Sequence, residues 1–214
     1  MIKEISGLYI IIDPSHTNGR SPESIARDVC EGGADIIQYR NKFESNSKIF
    51  EESKIIKEIA AYNKTLFIIN DRVDLAQLIK ADGVHVGRND ESVENCRLIL
   101  GSKSIIGNSN ATTIEVEKSS GLDLNYLAIG SLFETKTKKD TIPSSLEIIK
   151  KVKNSGLTKP IVGIGGINKE RINSVLRAGA DCVCITSAIT LSNKPKVETI
   201  EAQEIIKHYK NEKR

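Results

Sequence analysis

"RAGADCVCI" (residues 177–185) joins the end of a helix-like segment to a short apolar run, and the chain repeats this design. The other copies are "EGGADII" (31–37) and "IKADGVHV" (79–86), and all three contain an Ala-Asp pair. Glycine suits the left-handed residue that often follows a helix. The repeat therefore predicts helix-to-strand units that recur along the chain.

Eight short apolar runs occur in all, and amphipathic helix-like segments separate them. The runs span residues 8–12, 35–40, 66–70, 83–87, 104–108, 126–130, 161–165 and 182–186. Parallel strands that are buried on both faces have this continuous apolar character. The pattern predicts an α/β protein with a parallel eight-stranded (β/α)8 TIM barrel, formed as a single domain by residues 1–214. An open doubly wound sheet is the alternative, but it accounts less well for the eighth run.

Charge and composition narrow the classes of function. The net charge of +3 gives weak support for an anionic ligand, and the dense basic stripe expected of a nucleic-acid-binding protein is missing. No apolar run is long enough for a signal peptide or a membrane span. The four cysteines lack the spacing of a disulfide framework, which predicts buried thiols in a reduced, cytoplasmic protein. The sequence is compatible with a homo-oligomer.

Unusual polar residues stand at the carboxyl ends of the predicted strands. In a barrel these ends converge on the face that carries the active site. From the second strand to the eighth, the candidates are Gln38, Arg40, Lys42, Asn70, Asp71, Asp90, Ser109, the loop 133–140, Gly165, Gly166 and Ser187. We therefore expect residues that are far apart in the sequence to surround one cavity.

Asp71 and Asp90 follow neighbouring strands and have two interpretations. Each alone could be a loop residue or a helix cap, and Asp71 comes just before a helix-like segment. Together they could bind one hard cation, because Mg²⁺ is typically held by one or two carboxylates and by substrate phosphates. The pairing favours the metal site. His85 lies between them and is interpreted as a core or supporting residue.

Two further groups of residues predict anion binding. Arg40 and Lys42 end a buried strand, where a guanidinium fork and an ammonium group would attract phosphoryl oxygens. Gly165, Gly166 and Ser187 match the phosphate site that barrels commonly form after strands seven and eight.

The loop "FETKTKKD" (133–140) combines positive charge with hydroxyl donors from Thr135 and Thr137. A flexible basic loop is the simplest interpretation, but this combination also suits a second anion. The pattern as a whole predicts a site for two anionic groups, one of them bound together with a metal ion.

These motifs resemble those of the thiamine-phosphate synthase family over nearly the whole chain. The matching segments are Q-x-R-x-K (38–42), "INDRVDLA" (69–76), "ADGVHVG" (81–87) with Asp90 just beyond, "ETKTKKD" (134–140), "IGGI" (164–167) and "SAI" (187–189). This family has the TIM-barrel fold. With Mg²⁺ as cofactor, it joins 4-amino-2-methyl-5-hydroxymethylpyrimidine diphosphate to thiazole phosphate, giving thiamine phosphate and pyrophosphate. The resemblance implies the same small-molecule substrates and a dissociative reaction through a pyrimidine cation.

The resemblance also implies roles for individual residues. Asp71 and Asp90 would bind Mg²⁺. The pyrimidine diphosphate would be surrounded by Gln38, Arg40, Lys42, Asn70, Ser109 and Lys138. Catalysis would rest on four of these residues, namely Arg40, Lys42, Ser109 and Lys138. The thiazole phosphate would contact Thr135, Thr137, Gly166, Thr186 and Ser187.

Four positions depart from the family pattern. Arg88 stands where Gln is common, Asn108 where a small apolar residue is common, and Ser131 and Glu134 at proline positions. None of these departures removes a charged contact that the resemblance implies, although each could alter loop stiffness or affinity.

Two alternative functions are compatible with the same fold. A thiazole tautomerase resembles the chain at residues 133–135, but its catalytic histidine would fall near Ala111, where this chain has none. His16 and His208 are poor substitutes, because the first precedes the first helix and the second lies in the last. The other alternative is a non-catalytic protein that binds a phosphate-bearing ligand.

Overall fold

Parallel strands form where the sequence has its apolar runs. In the computed structural model, which describes residues 4–135 and 142–213, strands β1 to β8 are Gly7–Ile12, Ile36–Tyr39, Leu66–Asn70, Gly83–Val86, Ile105–Asn110, Tyr126–Ile129, Ile161–Ile164 and Cys182–Ile185. Each strand pairs in parallel with the next one in the chain, and β1 also pairs with β8, which closes the barrel. The fold prediction is confirmed. One boundary differs, because β5 continues to Asn110 and Ser109 therefore lies within the strand.

Helices follow the strands and cover the outside of the barrel. Within the described residues, helices α1 to α9 are Pro22–Glu31, Asn46–Tyr62, Val73–Leu78, Val93–Leu100, Thr113–Ser120, Leu146–Asn154, Lys169–Arg177, Ser187–Thr190 and Pro195–Glu212. Ser21 caps α1 by accepting a hydrogen bond from the amide of Ser24, and Pro22 occupies the first helical position. A capping box of Thr112 and Glu115 begins α5.

The repeated aspartates explain how the amino-terminal end of the barrel is held together. Each accepts a hydrogen bond from an amide of the preceding strand, and the pairs, all at 2.8 Å, are Asp35–Leu8, Asp82–Phe67 and Asp181–Ile161. Asn125 does the same for Ile106, also at 2.8 Å. A polar side chain thus precedes each even-numbered strand. It accepts a hydrogen bond from a backbone amide of the odd-numbered strand before it, and that amide would otherwise lack a partner.

Side chains alternate along the strands and form two apolar layers. The inward layer fills the barrel and includes Tyr9, Ile36, Leu66, Ile68, Ile105, Tyr126, Ala128, Val162, Cys182 and Cys184. The outward layer is larger and packs the strands against the helices. The four cysteines are all buried free thiols, as predicted. None of the helices in the described part of the chain combines the length and apolar character needed to cross a membrane.

Candidate active site

A cavity of about 570 Å³ opens where the carboxyl ends of the strands converge. Six of the predicted ligand-binding residues line it, namely Arg40, Ser109, Thr135, Gly166, Thr186 and Ser187. They come from five different strand ends or the loops that follow them. The barrel therefore brings together residues that are almost 150 positions apart, as the strand-end pattern predicts.

Lys42, Asp71 and Asp90 form a separate charged group beside this cavity, which we call the acidic rim. The ammonium nitrogen of Lys42 lies 2.8 Å from Oδ2 of Asp71. Oδ2 of Asp90 accepts a hydrogen bond from the amide of Gly87 at 2.7 Å. Partial burial, followed by the neighbouring carboxyl group of Asp71, raises the pKa of Asp90. The two carboxylates are thus close enough to oppose each other's ionisation.

Neither aspartate of the rim caps a helix. Helix α3 begins at Val73, its N-cap position is Arg72, and no side-chain hydrogen bond caps it. Helix α4 is capped by Ser92 instead. The capping interpretation is therefore wrong for both residues. Asp71 also has φ of +61°, a left-handed conformation that few residues other than glycine adopt. Such conformations cluster at functional sites, where the surrounding structure holds them.

The donor set of the rim fits one hard divalent cation. The neighbouring carboxylate of Asp71 helps to raise the pKa of Asp90, and a positive charge between the two groups would relieve this repulsion; Mg²⁺ prefers such oxygen ligands. Among the described residues no group of three or more His, Cys, Asp and Glu side chains converges in a way that could hold a metal ion. A site with only two protein carboxylates matches the way Mg²⁺ is usually shared with substrate phosphates.

Arg40 is held by a residue that the sequence analysis did not single out. Asp13 follows β1, is 1% exposed, and accepts a hydrogen bond from the Arg40 guanidinium and another from the amide of Ser15. Both Asp13 and Arg40 line the cavity. Since the Asp13 carboxylate is buried and also held by the Ser15 amide, its ion pair with the partly buried Arg40 fixes the guanidinium at the cavity wall. An aspartate after an apolar run was visible in the sequence, but its partner was not.

Gln38 lies at the floor of the barrel, where it is 2% exposed. Its amide nitrogen donates to the hydroxyl of Tyr9 at 2.7 Å, and that hydroxyl lies 3.0 Å from the hydroxyl of Tyr126. The Tyr126 hydroxyl is 2.9 Å from Nδ1 of His85, and Nε2 of His85 is 2.9 Å from Oγ of Ser109. We call these five residues the floor chain. Within the floor chain His85 lies between Tyr126 and Ser109, which is the supporting position that the sequence predicted for it.

The loops after β6 and β7 are joined to each other. The amide of Phe133 donates to the carbonyl of Gly165 at 3.1 Å. The Arg171 guanidinium lies 4.5 Å from the centre of the Phe133 ring and donates to the carbonyl of Gly166. A side chain at Gly166 would overlap the carbonyl oxygen of Glu134 and the Phe133 residue before it, and the φ of Gly166 is +61°. These contacts position the two glycines beside Thr135. Two predicted ligand residues of the same loop, Thr137 and Lys138, lie outside the described residues.

Comparison with known proteins identifies the family. A family model described as thiamine monophosphate synthase matches residues 8–189. The chain belongs to this family. A thiamine-phosphate synthase of Persephonella marina is 37% identical over 202 residues, covering 94% of this chain and 96% of that protein. A thiamine-phosphate synthase of Methanosarcina mazei is 39% identical over 217 residues, covering 98% of this chain and 86% of that protein. A solved structure of thiamine phosphate pyrophosphorylase from Pyrococcus furiosus is similar with a TM-score of 0.85 at 30% sequence identity. The match covers 95% of this chain and 96% of the chain in that structure.

The resemblance in the sequence is thus confirmed, and the structure accounts for two of the departures from the thiamine-phosphate synthase pattern. Arg88 lines the cavity and forms an ion pair with Glu115, the residue that also completes the capping box of α5. Asn108 points away from the barrel interior, where its amide donates to Oγ of Ser119 at 3.0 Å. Each polar side chain therefore has a partner supplied by α5.

Two cavity residues bear on the tautomerase alternative within this family fold. Ala111 lines the cavity, so the position where the tautomerase histidine would stand carries only a methyl group. His16 also lines the cavity, although the sequence analysis set it aside, and its Nδ1 lies 3.1 Å from Oγ of Ser15. The comparisons favour thiamine-phosphate synthase, and His16 remains the residue through which the alternative can be tested.

Proposed function

We propose that this protein is a Mg²⁺-dependent, cytoplasmic enzyme that couples 4-amino-2-methyl-5-hydroxymethylpyrimidine diphosphate to thiazole phosphate. The observation that carries this proposal is the acidic rim, which combines two carboxylates and an ammonium group. It lies beside the cavity, whose wall includes the Arg40 guanidinium. Such a combination suits a diphosphate bound with a divalent cation. Family membership supports the same reaction, and the buried thiols are consistent with a reducing compartment.

The reaction exchanges one bond for another without a protein nucleophile. The bond between the pyrimidine methylene carbon and the diphosphate oxygen breaks, and its electron pair leaves with pyrophosphate. The nitrogen of the thiazole then donates its lone pair to the methylene carbon, and no proton has to move. Because negative charge grows on the leaving oxygen, fixed cations aimed at it lower the barrier. We assign this role to Arg40, Lys42 and Lys138.

Asp71 and Asp90 would hold Mg²⁺, with Asn70 beside them at the end of β3. The ion, when bound, supplies positive charge to the phosphoryl oxygens. Lys42 already contacts Asp71 and would share the neutralisation of the diphosphate. Ser109, the end of the floor chain that lines the cavity, would contact the pyrimidine from below, and Gln38 would support that contact from the buried end of the chain.

The opposite side of the cavity suits a phosphate without a metal ion. Gly166, Thr186 and Ser187 line it after β7 and β8, and Thr135 lines it from the loop after β6. Amides and hydroxyls are the donors that commonly bind phosphate on this face of a barrel. We assign these residues, with Thr137, to the phosphate of the thiazole substrate.

The decisive experiment incubates the full chain with both substrates and Mg²⁺ and measures thiamine phosphate and pyrophosphate together. We expect the two products in equal amounts, loss of both on adding a chelator, and recovery on restoring Mg²⁺. Metal-independent isomerisation of the thiazole carboxylate phosphate, sensitive to His16→Gln and without ring coupling, would instead establish a tautomerase. Binding of thiamine phosphate without turnover would indicate a binding protein.

A further inference from the structure

The floor chain crosses the barrel interior through residues of five strands. Along the chain of hydrogen bonds its members are Gln38, Tyr9, Tyr126, His85 and Ser109, at separations between 2.7 and 3.0 Å. The four residues before Ser109 are buried, and only Ser109 lines the cavity. Buried polar groups normally satisfy their hydrogen bonds. The chain therefore constrains where each of its protons can lie.

The constraint begins at Gln38, because an amide nitrogen can only donate. The Tyr9 hydroxyl accepts from Gln38, so its own single proton is directed to Tyr126, and the proton of Tyr126 is directed to Nδ1 of His85. A neutral imidazole with an accepting Nδ1 carries its proton on Nε2. That proton is donated to Ser109.

Among the residues that the structure describes, other proton arrangements leave a buried hydroxyl proton without an acceptor. Leaving one buried donor unsatisfied disfavours a state by roughly ten- to hundredfold. Burial raises the pKa of Tyr9 and of Tyr126, so both hydroxyls keep their protons near neutral pH. The opposite direction is satisfied only if Gln38 turns its carbonyl oxygen toward Tyr9.

Packing holds the rings of the chain in place. The His85 ring stacks on Tyr126 with centroids 5.6 Å apart, and the Tyr9 ring meets Tyr126 edge-on at 6.1 Å. Gly107 lies against the Tyr126 ring so closely that any side chain there would overlap it. The donors and acceptors are therefore preorganised before a ligand arrives.

We propose that Gln38, acting through Tyr9 and Tyr126, fixes His85 as its Nε2–H tautomer and commits the Ser109 hydroxyl to donate into the cavity. Tyr9, Tyr126 and His85 are then positioning residues, and Ser109 selects a substrate atom that accepts a hydrogen bond. That atom is either a heterocyclic nitrogen or a phosphoryl oxygen. This inference rests on the proposed function, since it assumes that the substrate occupies this cavity.

The first test does not depend on activity. The full chain is labelled with ¹⁵N-histidine, and the ring nitrogen shifts of its three histidines are assigned with the variants His16→Gln and His208→Gln. We expect protonated Nε2 and unprotonated Nδ1 in His85. A proton on Nδ1 would overturn the proposal even if the enzyme makes thiamine phosphate, and the expected tautomer would stand even if the substrates prove different.

The second test asks whether Tyr126 acts through Ser109. Tyr126→Phe should lower kcat/KM for the pyrimidine diphosphate about tenfold, the scale of one hydrogen bond. The control is Tyr209→Phe in α9, which also removes a buried hydroxyl. The Tyr209 hydroxyl has no hydrogen-bond partner among the described residues. In the Ser109→Ala background the effect of Tyr126→Phe should disappear, because the two residues form one path. An equal loss in both backgrounds would show a purely structural role and overturn the proposal.

The accepting atom is identified by measuring the affinity of two probes for the native protein and for Ser109→Ala. One probe is the pyrimidine alcohol without phosphates, and the other is inorganic pyrophosphate with Mg²⁺. Weaker binding of the alcohol alone assigns the acceptor to a ring nitrogen, and weaker binding of pyrophosphate alone assigns it to a phosphoryl oxygen. Unchanged affinity for both would overturn the donor role of Ser109.

Discussion

The acidic rim lies where the strands end and the floor chain lies inside the barrel, and the two are built from opposite kinds of group. The rim is charged, partly exposed and carried by segments that follow the strands, with Lys42 42% exposed in its side chain and Asp71 22%. The floor consists of amide, hydroxyl and imidazole groups carried by the strands themselves, and Tyr126 is 0% exposed. With Mg²⁺ bound as proposed, the rim would neutralise a diphosphate, whereas the floor can only direct hydrogen bonds.

This difference predicts different consequences of mutation. Exposed charges contribute little to folding stability, so changes in the rim should reduce activity and leave the fold intact. Buried, close-packed groups contribute to folding stability and to activity, so changes in the floor should reduce stability as well as activity. The following experiments test this contrast.

The largest effect is expected from Asp71→Asn and Asp90→Asn. Asparagine keeps the shape and tolerates the left-handed backbone at residue 71, but it removes the charge that would bind Mg²⁺. Turnover measured at saturating substrate should fall about 10³-fold. The midpoint of thermal unfolding should change little. A destabilised variant with normal turnover would show that these carboxylates serve the fold instead.

Lys138→Ala tests the proposed role of Lys138 toward the leaving pyrophosphate. Loss of one cation that stabilises the leaving group should slow the chemical step on the order of 10²–10³-fold in single-turnover measurements. A change confined to the affinity for thiazole phosphate would contradict the assignment of Lys138 to pyrophosphate.

Gly107→Ala tests the floor. The added methyl group would overlap the Tyr126 ring, and overpacking of this kind costs about 1–3 kcal/mol in the free energy of unfolding. Gly121→Ala is the matched control, because a methyl group there has open space around it and the φ is negative. Denaturant unfolding should separate the two variants. Equal stabilities would mean that the floor is less tightly packed than the structure indicates.

The smallest effect is expected from salt. Raising the ionic strength from low salt to near 1 M shortens the screening length to about 3 Å, so KM for the diphosphate should rise several-fold through the exposed rim. The ¹⁵N shifts of His85 on the buried floor should not move. A salt-insensitive KM would argue against long-range attraction of the diphosphate by Lys42.

The same contrast explains how far the sequence could be interpreted. The rim aspartates and Lys42 follow their strands within four residues, and a barrel brings all strand ends to one face, so their proximity was predictable. The side-chain pairing of Arg40 with Asp13 was not, because it depends on the register between β1 and β2. The capping interpretation of Asp71 failed for a related reason, since α3 starts two residues later than Asp71.

By itself, the sequence determined the number and order of the strands and the polar positions at their ends, because apolar periodicity and strand-end chemistry are local properties. Only the tertiary structure decided the floor. A tyrosine within an apolar strand has the pattern of a core residue, and neither Tyr9 nor Tyr126 indicates a partner 117 residues away. Their hydroxyls meet because closure of the barrel turns alternate side chains of every strand toward one axis, where a buried polar atom must find another.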